Sequence, residues 1–268
     1  MPTFTQRRTL LGGIFLFGLF CSVPCLSART QTGILFRTAT VDGHSYRYEV
    51  YVPPGGPPRH KWPVILFLHG IGHRGQYPRG SSESVLARLF LGYQKPPHAV
   101  IVFPRCPTDA TWLEPRMEKL ALTALQQSVQ EFHGDPRRVY LTGLSMGGYG
   151  VWFIASRNPD RFAALAPVCG GIRAPQTVPL SAVSTTSEPY ADIAKKIGKT
   201  PVWIFHGSAD KVISVDESRQ MVTALKANGG NVRYTEYPGV GHNSWDKAYA
   251  EPELIAWLLS KTLGEPAK

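Results

Sequence analysis

Residues 33–41 and 46–52 alternate apolar and polar side chains and flank Asp42-Gly43, the pattern of an antiparallel hairpin closed by a tight turn. Pro53-Pro54-Gly55-Gly56-Pro57-Pro58 then interrupts regular structure. Continuous apolar runs follow at 64–68, 99–103, 139–141, 163–168 and 202–205, with a further strand pattern at 232–237. Helical spacing separates these runs. It is clearest at 116–133, where Leu122, Leu125, Val129 and Phe132 recur on one face before Gly134. Strand and helix alternating in this way predict an α/β fold, a mostly parallel central sheet with helices on both faces and an antiparallel hairpin at its start. Ligand sites in such sheets gather at the carboxyl ends of the strands. His69-Gly70, Ser145 and His206-Gly207 all fall at such ends.

The amino-terminal pattern is different. Arg7-Arg8 precede an uncharged run from Leu10 to Cys21, too short for a comfortable membrane span, and small residues stand near Ser27. This predicts a signal peptide over 1–27, cleaved near Ser27, with Thr5 to Leu11 partly matching a twin-arginine signal. Residues 28–268 then form one catalytic domain, secreted or periplasmic. Cleavage removes two of the four cysteines and leaves Cys106 and Cys169. Their strands are expected on opposite sides of the central pair, too far apart for a disulfide, so both thiols are expected buried and free.

Cleavage also removes Arg7 and Arg8 and no acid, lowering the formal charge from +10 to about +8. A basic surface favours anionic polymers. Arg137, Arg138, Arg157 and Arg161 lie scattered beside turns with no interleaved aromatic stripe, so nucleic acid is not an expected partner. No stable membrane span is expected after cleavage.

LTGLSMGGYG, residues 141–150, carries the chemistry. Strand, Gly143-Leu144-Ser145-Met146-Gly147 and helix follow one another, so Ser145 is expected on a strained turn with its hydroxyl projecting from the strand end. A serine hydroxyl needs a base, and the base needs an orienting carboxylate. Among eight histidines, His242 in YPGVGHNSW lies in a glycine-flanked loop beyond the last strand and is the predicted base. His69 and His206 read as supports for turns. Asp210 follows a buried strand by a few residues and is the predicted acid. Its rival Asp216 belongs to Ser214-Val215-Asp216-Glu217, the spacing of a capping box, and Asp246 is expected in solvent. The order Ser145, Asp210, His242 is that of the α/β-hydrolase arrangement. The backbone N–H groups of Met146 and Ile71 are the expected oxyanion donors, with incidental side chains.

LFLHGIG, residues 139–171, VWIFHGSADKVISVDESRQMVTALKANGG and YPGVGHNSWDKAY resemble secreted α/β-hydrolase esterases, a group often labelled peptidases or phospholipase/carboxylesterases. That group is related to feruloyl esterases, polyhydroxyalkanoate depolymerases and dienelactone hydrolases. The resemblance runs from roughly residue 33 to 260. It implies a serine carboxylesterase with Ser145, Asp210 and His242 as triad and Ile71 and Met146 N–H as oxyanion hole. No metal or cofactor is implied. Short-chain, aromatic or polysaccharide-linked esters are the expected substrates, small or polymer-linked; peptide cleavage and acyl transfer are the alternatives. The sequence departs at His73-Arg74, where relatives often carry an acid before the arginine, which is expected to alter charge beside the acyl pocket. Trp112, Trp245 and His73 are candidate substrate-binding residues, the two tryptophans being equally suited to core or lid packing. Residues 172–199, rich in Pro, Ser and Thr, read as an insert suited either to cover the substrate or to form a passive loop.

Overall fold

A computed structural model describes residues 1–3, 31–57, 61–75, 86–93 and 95–264; apart from its first three residues, the expected signal segment lies outside the described residues. The hairpin forms as expected. β1 (Gly33–Val41) and β2 (His44–Val52) pair in one register, and Asp42 and Gly43 both take positive φ, 50° and 80°. Two such residues in succession make the hairpin turn whose twist matches that of the strands.

Six more strands extend the sheet: β3 (Trp62–Leu68), β4 (Val100–Phe103), β5 (Gly134–Leu144), β6 (Ala164–Val168), β7 (Val202–Gly207) and β8 (Val232–Tyr237). Their spatial order is β1-β2-β4-β3-β5-β6-β7-β8. Only β1/β2 and β2/β4 are antiparallel; every later pair is parallel. β4 and β6 flank the central pair β3 and β5 on opposite sides, and Cys106 and Cys169, which follow them, are free and buried.

Because successive strand side chains point to opposite faces, a run buried on both faces has no polar alternation. β3 follows this rule throughout. Val64, Leu66 and Leu68 join a core formed with α2 (Pro115–Glu131), α3 (Met146–Arg157), α4 (Pro189–Ile197) and α5 (Asp216–Ala227). Ile65 and Phe67 enter the opposite core with α1 (Leu86–Leu91), α6 (Trp245–Tyr249) and α7 (Leu254–Leu259). There the Phe67 ring meets those of Phe90, Phe103 and Tyr249 at 5.1, 5.4 and 5.6 Å. Full burial of one such side chain contributes about 1.5–3 kcal/mol. Both β3 and β5 are thereby fixed from two sides, and their carboxyl ends become a rigid platform.

Two boundaries differ from those the pattern predicts. β5 begins at Gly134, because Gly134 pairs with Trp62 before the register shifts to Val64 opposite Val139. The segment 172–199 holds a helix: Pro189 starts α4 at a position where a missing N–H costs nothing, and Tyr190, Ile193, Ala194 and Ile197 form its buried face.

Candidate active site

Ser145 stands between β5 and α3 with φ 54° and ψ −117°, a conformation that L residues rarely adopt. Its N–H donates to Val168 O at 2.9 Å and its carbonyl accepts from Tyr149 N at 3.1 Å, so strand β6 and helix α3 hold the strained residue from both sides. The flanking glycines permit the close approach. A Cβ on Gly147 would lie 2.0 Å from Leu68 O and 2.6 Å from Leu68 C; one on Gly143 would lie 2.6 Å from Gly147 O. These neighbours are backbone and cannot rotate away. Gly147→Ala is therefore expected to destabilise the fold by about 3 kcal/mol or more, since strand and helix must part; denaturant unfolding measures this, and an unchanged midpoint would contradict it.

Strand ends bring the other groups to the same edge. Ser145 Oγ lies 2.9 Å from His242 Nε2, and His242 Nδ1 lies 2.7 Å from Asp210 Oδ2. A nitrogen facing a carboxylate carries the proton, so Nδ1–H donates to Asp210 and Nε2 is free to accept from the serine hydroxyl. The His242 loop is clamped to the end of β7. Ala209 N donates to Val240 O at 2.9 Å, Gly239 N donates to Ser208 Oγ at 2.8 Å, and Val240 and Gly241 lie directly against Gly207.

Asp210 has a side chain sealed from solvent. Burial by itself would raise its carboxyl pKa, but donors from His206, His242 and the Ile213 backbone outweigh this and hold it well below the usual range. Oδ1 accepts from Val212 N and Ile213 N at 2.8 and 3.0 Å. Oδ2 receives a second imidazole: His206 Nε2 is 3.2 Å away and also 3.1 Å from Ile213 O, while Nδ1 lies 2.7 Å from Ser218 Oγ. Facing two acceptors, Nε2 bears the proton and Nδ1 accepts from Ser218. His206, read from sequence as a turn support, is thus also a direct partner of the acid.

His69 does support a turn. Its Nε2 accepts from Cys106 N at 3.0 Å and its Nδ1–H donates to Gly70 O at 2.8 Å, which fixes one neutral tautomer. Burial, opposed by the Gly70 hydrogen bond and aided by His73, Arg105 and Arg74, pushes its pKa down to about 3. Gly70 O also accepts from His73 N at 3.1 Å. In a trans peptide the N–H points opposite the carbonyl, so the Ile71 N–H faces away from this anchored oxygen. A Cβ built on Gly70 would be 3.7 Å from Ser145 Cβ, placing this peptide beside the serine. Met146 opens α3, where a first-turn N–H has no helical acceptor. Its side chain is not incidental, being fully buried in the core, whereas Ile71 is only partly buried.

Trp112 is a core residue and has no surface to offer a substrate: it is 0% exposed, its Nε1 donates to His69 O at 2.9 Å, and its ring meets His69 edge-on at 5.1 Å. Trp245 stands against His242, ring centroids 5.4 Å apart and planes at 90°. His73 lies 6.4 Å from His69, with a buried Nδ1 that has no partner among the described residues. Burial, and then Arg105, lower its pKa and favour the neutral imidazole, so this position lacks the negative charge that an acid would place there.

Asp216 accepts from Arg219 at 3.0 Å on the surface. Glu217 does not close a capping box. Its Oε2 accepts from Ile172 N and Arg173 N at 2.6 and 3.1 Å and its Oε1 from Tyr190 OH at 2.8 Å, tying the 172–199 segment to α5. Glu217→Ala leaves three donors without that acceptor and is expected to cost about 2 kcal/mol, read as a lower melting temperature; an unchanged value would contradict the tether. Asp246 is exposed and accepts from Tyr93 OH at 2.8 Å.

Cys169 lies in the same cluster, 0% exposed, and burial pushes its thiol up to about 12. The donor atoms of Cys169, Asp210 and His242 all lie within 4.8 Å of one another.

A family model described as the dienelactone hydrolase family matches residues 109–251, a span that includes Ser145, Asp210 and His242. The chain belongs to the dienelactone hydrolase family. It is 26% identical over 266 residues to poly(3-hydroxyalkanoate) depolymerase C of Paucimonas lemoignei, covering 88% of this chain and 59% of that protein. It is also 26% identical to acyl-protein thioesterase 1 of Neurospora crassa, covering 68% of this chain and 80% of the thioesterase. Among solved structures, a thermostable esterase superposes with a TM-score of 0.70 at 29% identity, over 85% of this chain and 63% of that one. A ferulic acid esterase shares the fold at a TM-score of 0.61 and 18% identity, over 87% and 99% of the two chains. The family member described here thus spans about three fifths of that depolymerase. Among the described residues, no helix is long and apolar enough to cross a membrane.

Proposed function

We propose that the protein is an exported serine carboxylesterase in which Ser145 is the nucleophile, His242 the base and Asp210 the orienting acid. One observation carries the reading: the chain Ser145 Oγ, His242 Nε2, His242 Nδ1, Asp210 Oδ2, with links of 2.9 and 2.7 Å, ends on a serine held at φ 54°. Ser145 Oγ attacks the ester carbonyl as His242 Nε2 takes its proton; the imidazolium that forms is stabilised by Asp210 and then protonates the leaving alkoxide. Charge on the tetrahedral oxygen is met by the N–H groups of Ile71 and Met146. Water, deprotonated by the same imidazole, releases the acid and restores the serine.

Short-chain, aromatic and polymer-linked esters are the substrate classes proposed. A relative named for poly(3-hydroxyalkanoate) depolymerase and another named for acetylxylan esterase support the polymer-linked class. The Trp245 ring beside His242 suits a flat acyl group. Export is supported by Arg7-Arg8 and the uncharged run that follows.

The test is acid release, followed by mass spectrometry, from a mixture of short-chain aryl esters, long-chain esters, feruloyl sugars, acetylated xylan and peptides. Release of acid from one ester class by the wild type and not by Ser145→Ala is the expected result. Peptide products alone, or equal release by both proteins, would overturn the assignment.

A further inference from the structure

Cys169 comes directly after Val168, whose carbonyl accepts from Ser145 N–H, and takes a backbone conformation that L residues rarely adopt. It follows β6 at φ 39°, its N–H donates to Phe205 O at 2.9 Å, and its side chain turns inward behind the paired imidazole and carboxylate. Sulfur, carboxylate oxygen and imidazole nitrogen therefore meet within 4.8 Å, in a space with little access to water. A second observation points the same way. Ser244 is fully buried, adjoins the Cys169 thiol without closing a well-formed hydrogen bond, and its Oγ has no partner among the described residues.

We propose that Cys169, Asp210 and His242 form a site for a thiophilic divalent cation, Zn²⁺ in the first instance, and that its occupancy switches the enzyme off. The switching half of this rests on the triad reading above. Thiolate, imidazole and carboxylate together are the donor set of tetrahedral zinc, with bonds of about 2.3 Å to sulfur and 2.0–2.2 Å to nitrogen and oxygen. Those lengths put neighbouring donors about 3.3–3.7 Å apart. The His242–Asp210 pair, now 2.7 Å apart, opens by about 0.6–1 Å to reach that separation, and the thiol closes on it. The Ser244 hydroxyl or a water completes the tetrahedron. A thiolate in the set favours zinc or cadmium over magnesium or calcium, which take oxygen donors.

The proton balance explains the loss of activity. The cation displaces the Cys169 thiol proton to solvent, as a coordinated thiol is deprotonated. It also takes the His242 Nδ1 lone pair, so the imidazole proton moves to Nε2. The ring stays neutral and no electron is transferred. Thiolate and carboxylate then balance the dication, which leaves no net charge in the buried space. With a proton on Nε2, His242 cannot accept the proton of Ser145, and Asp210 no longer holds the productive tautomer.

The test uses tag-free mature protein. Zn²⁺ is titrated into ester hydrolysis by the wild type and by Cys169→Ala, with EDTA reversal, and Cys169→Ser is a second variant if alanine at φ 39° impairs folding. Cd²⁺ is titrated separately into Ser145→Ala, reading the ultraviolet thiolate-to-cadmium band, which needs no turnover. Expected are reversible zinc inhibition of the wild type, a zinc requirement raised roughly tenfold or more in the Cys169 variants, each read relative to its own metal-free turnover, and a cadmium band lost when Cys169 is also replaced. Equal zinc sensitivity of wild type and Cys169 variants, full activity at millimolar zinc, or no cadmium band would overturn the proposal. Undiminished hydrolysis by Ser145→Ala would instead overturn the triad reading, while the cadmium band would still report the site.

Discussion

Ser145→Ala is expected to lower kcat for the best ester by about 10⁴- to 10⁶-fold, with little change in KM. The magnitude follows from the proposed role of Oγ, the group that would form the covalent bond and the one linked to His242 at 2.9 Å. Alanine keeps the Cβ and leaves the N–H to Val168 and the carbonyl to Tyr149 in place, so the fold should be unaffected. Ser145→Gly separates chemistry from strain. It removes the nucleophile equally, but relieves a side-chain-bearing residue at φ 54° and is expected to stabilise the fold by about 1 kcal/mol. Thermal unfolding and stopped-assay kinetics on the two variants measure both effects. Retention of more than a few per cent of wild-type kcat in either variant would show that the nucleophile lies elsewhere.

Asp210→Asn is expected to cost about 10⁴-fold in kcat. The carboxylate accepts four hydrogen bonds: from His242 and His206 on Oδ2 and from Val212 and Ile213 on Oδ1. The backbone pair keeps the amide oxygen on the Oδ1 side, which turns the amide –NH₂ toward both imidazoles. His242 Nδ1 must then accept, its proton moves to Nε2, and the ring can no longer take the serine proton. His206 Nε2–H, now facing a donor, adds a folding cost of about 1–3 kcal/mol. Steady-state kinetics and denaturant unfolding on this variant test both parts. A fall of less than tenfold in kcat would mean that the acid role belongs to another carboxylate.

What could be read from the chain depended on how local the governing physics was. The Asp42-Gly43 turn, the continuous apolar runs of a sheet covered on both faces, and the small residues around Ser145 are set by neighbours in sequence, and each leaves a pattern there. The joining of Ser145, Asp210 and His242 at one edge could be anticipated from their order and their positions after strands. Contacts made across the fold left no such pattern. A histidine ending a strand before glycine looks the same whether it supports a turn, as His69 does, or also touches the acid, as His206 does. Glu217 follows Ser214 at capping-box spacing, yet its carboxylate serves a loop 45 residues earlier. Trp112 offered an aromatic in a loop, and its burial comes from packing on His69. α4 was hidden because Pro, Ser and Thr dominate the segment around its nine residues. The position of Cys169 beside His242 needed the loop after β8 to fold back over the sheet, which composition does not record.

Covalent labelling with a fluorophosphonate followed by tryptic mapping tests whether Ser145 is the activated nucleophile. The serine oxygen displaces fluoride, leaving a stable phosphonate ester. Trypsin cleaves after Arg138 and Arg157, so the reporting peptide contains just two serines, Ser145 and Ser156, which fragmentation separates. The predicted result is stoichiometric modification of Ser145 in the wild type and its absence in Ser145→Ala and His242→Ala. Modification of any other serine, or none in an ester-hydrolysing preparation, would rule out Ser145 as the nucleophile.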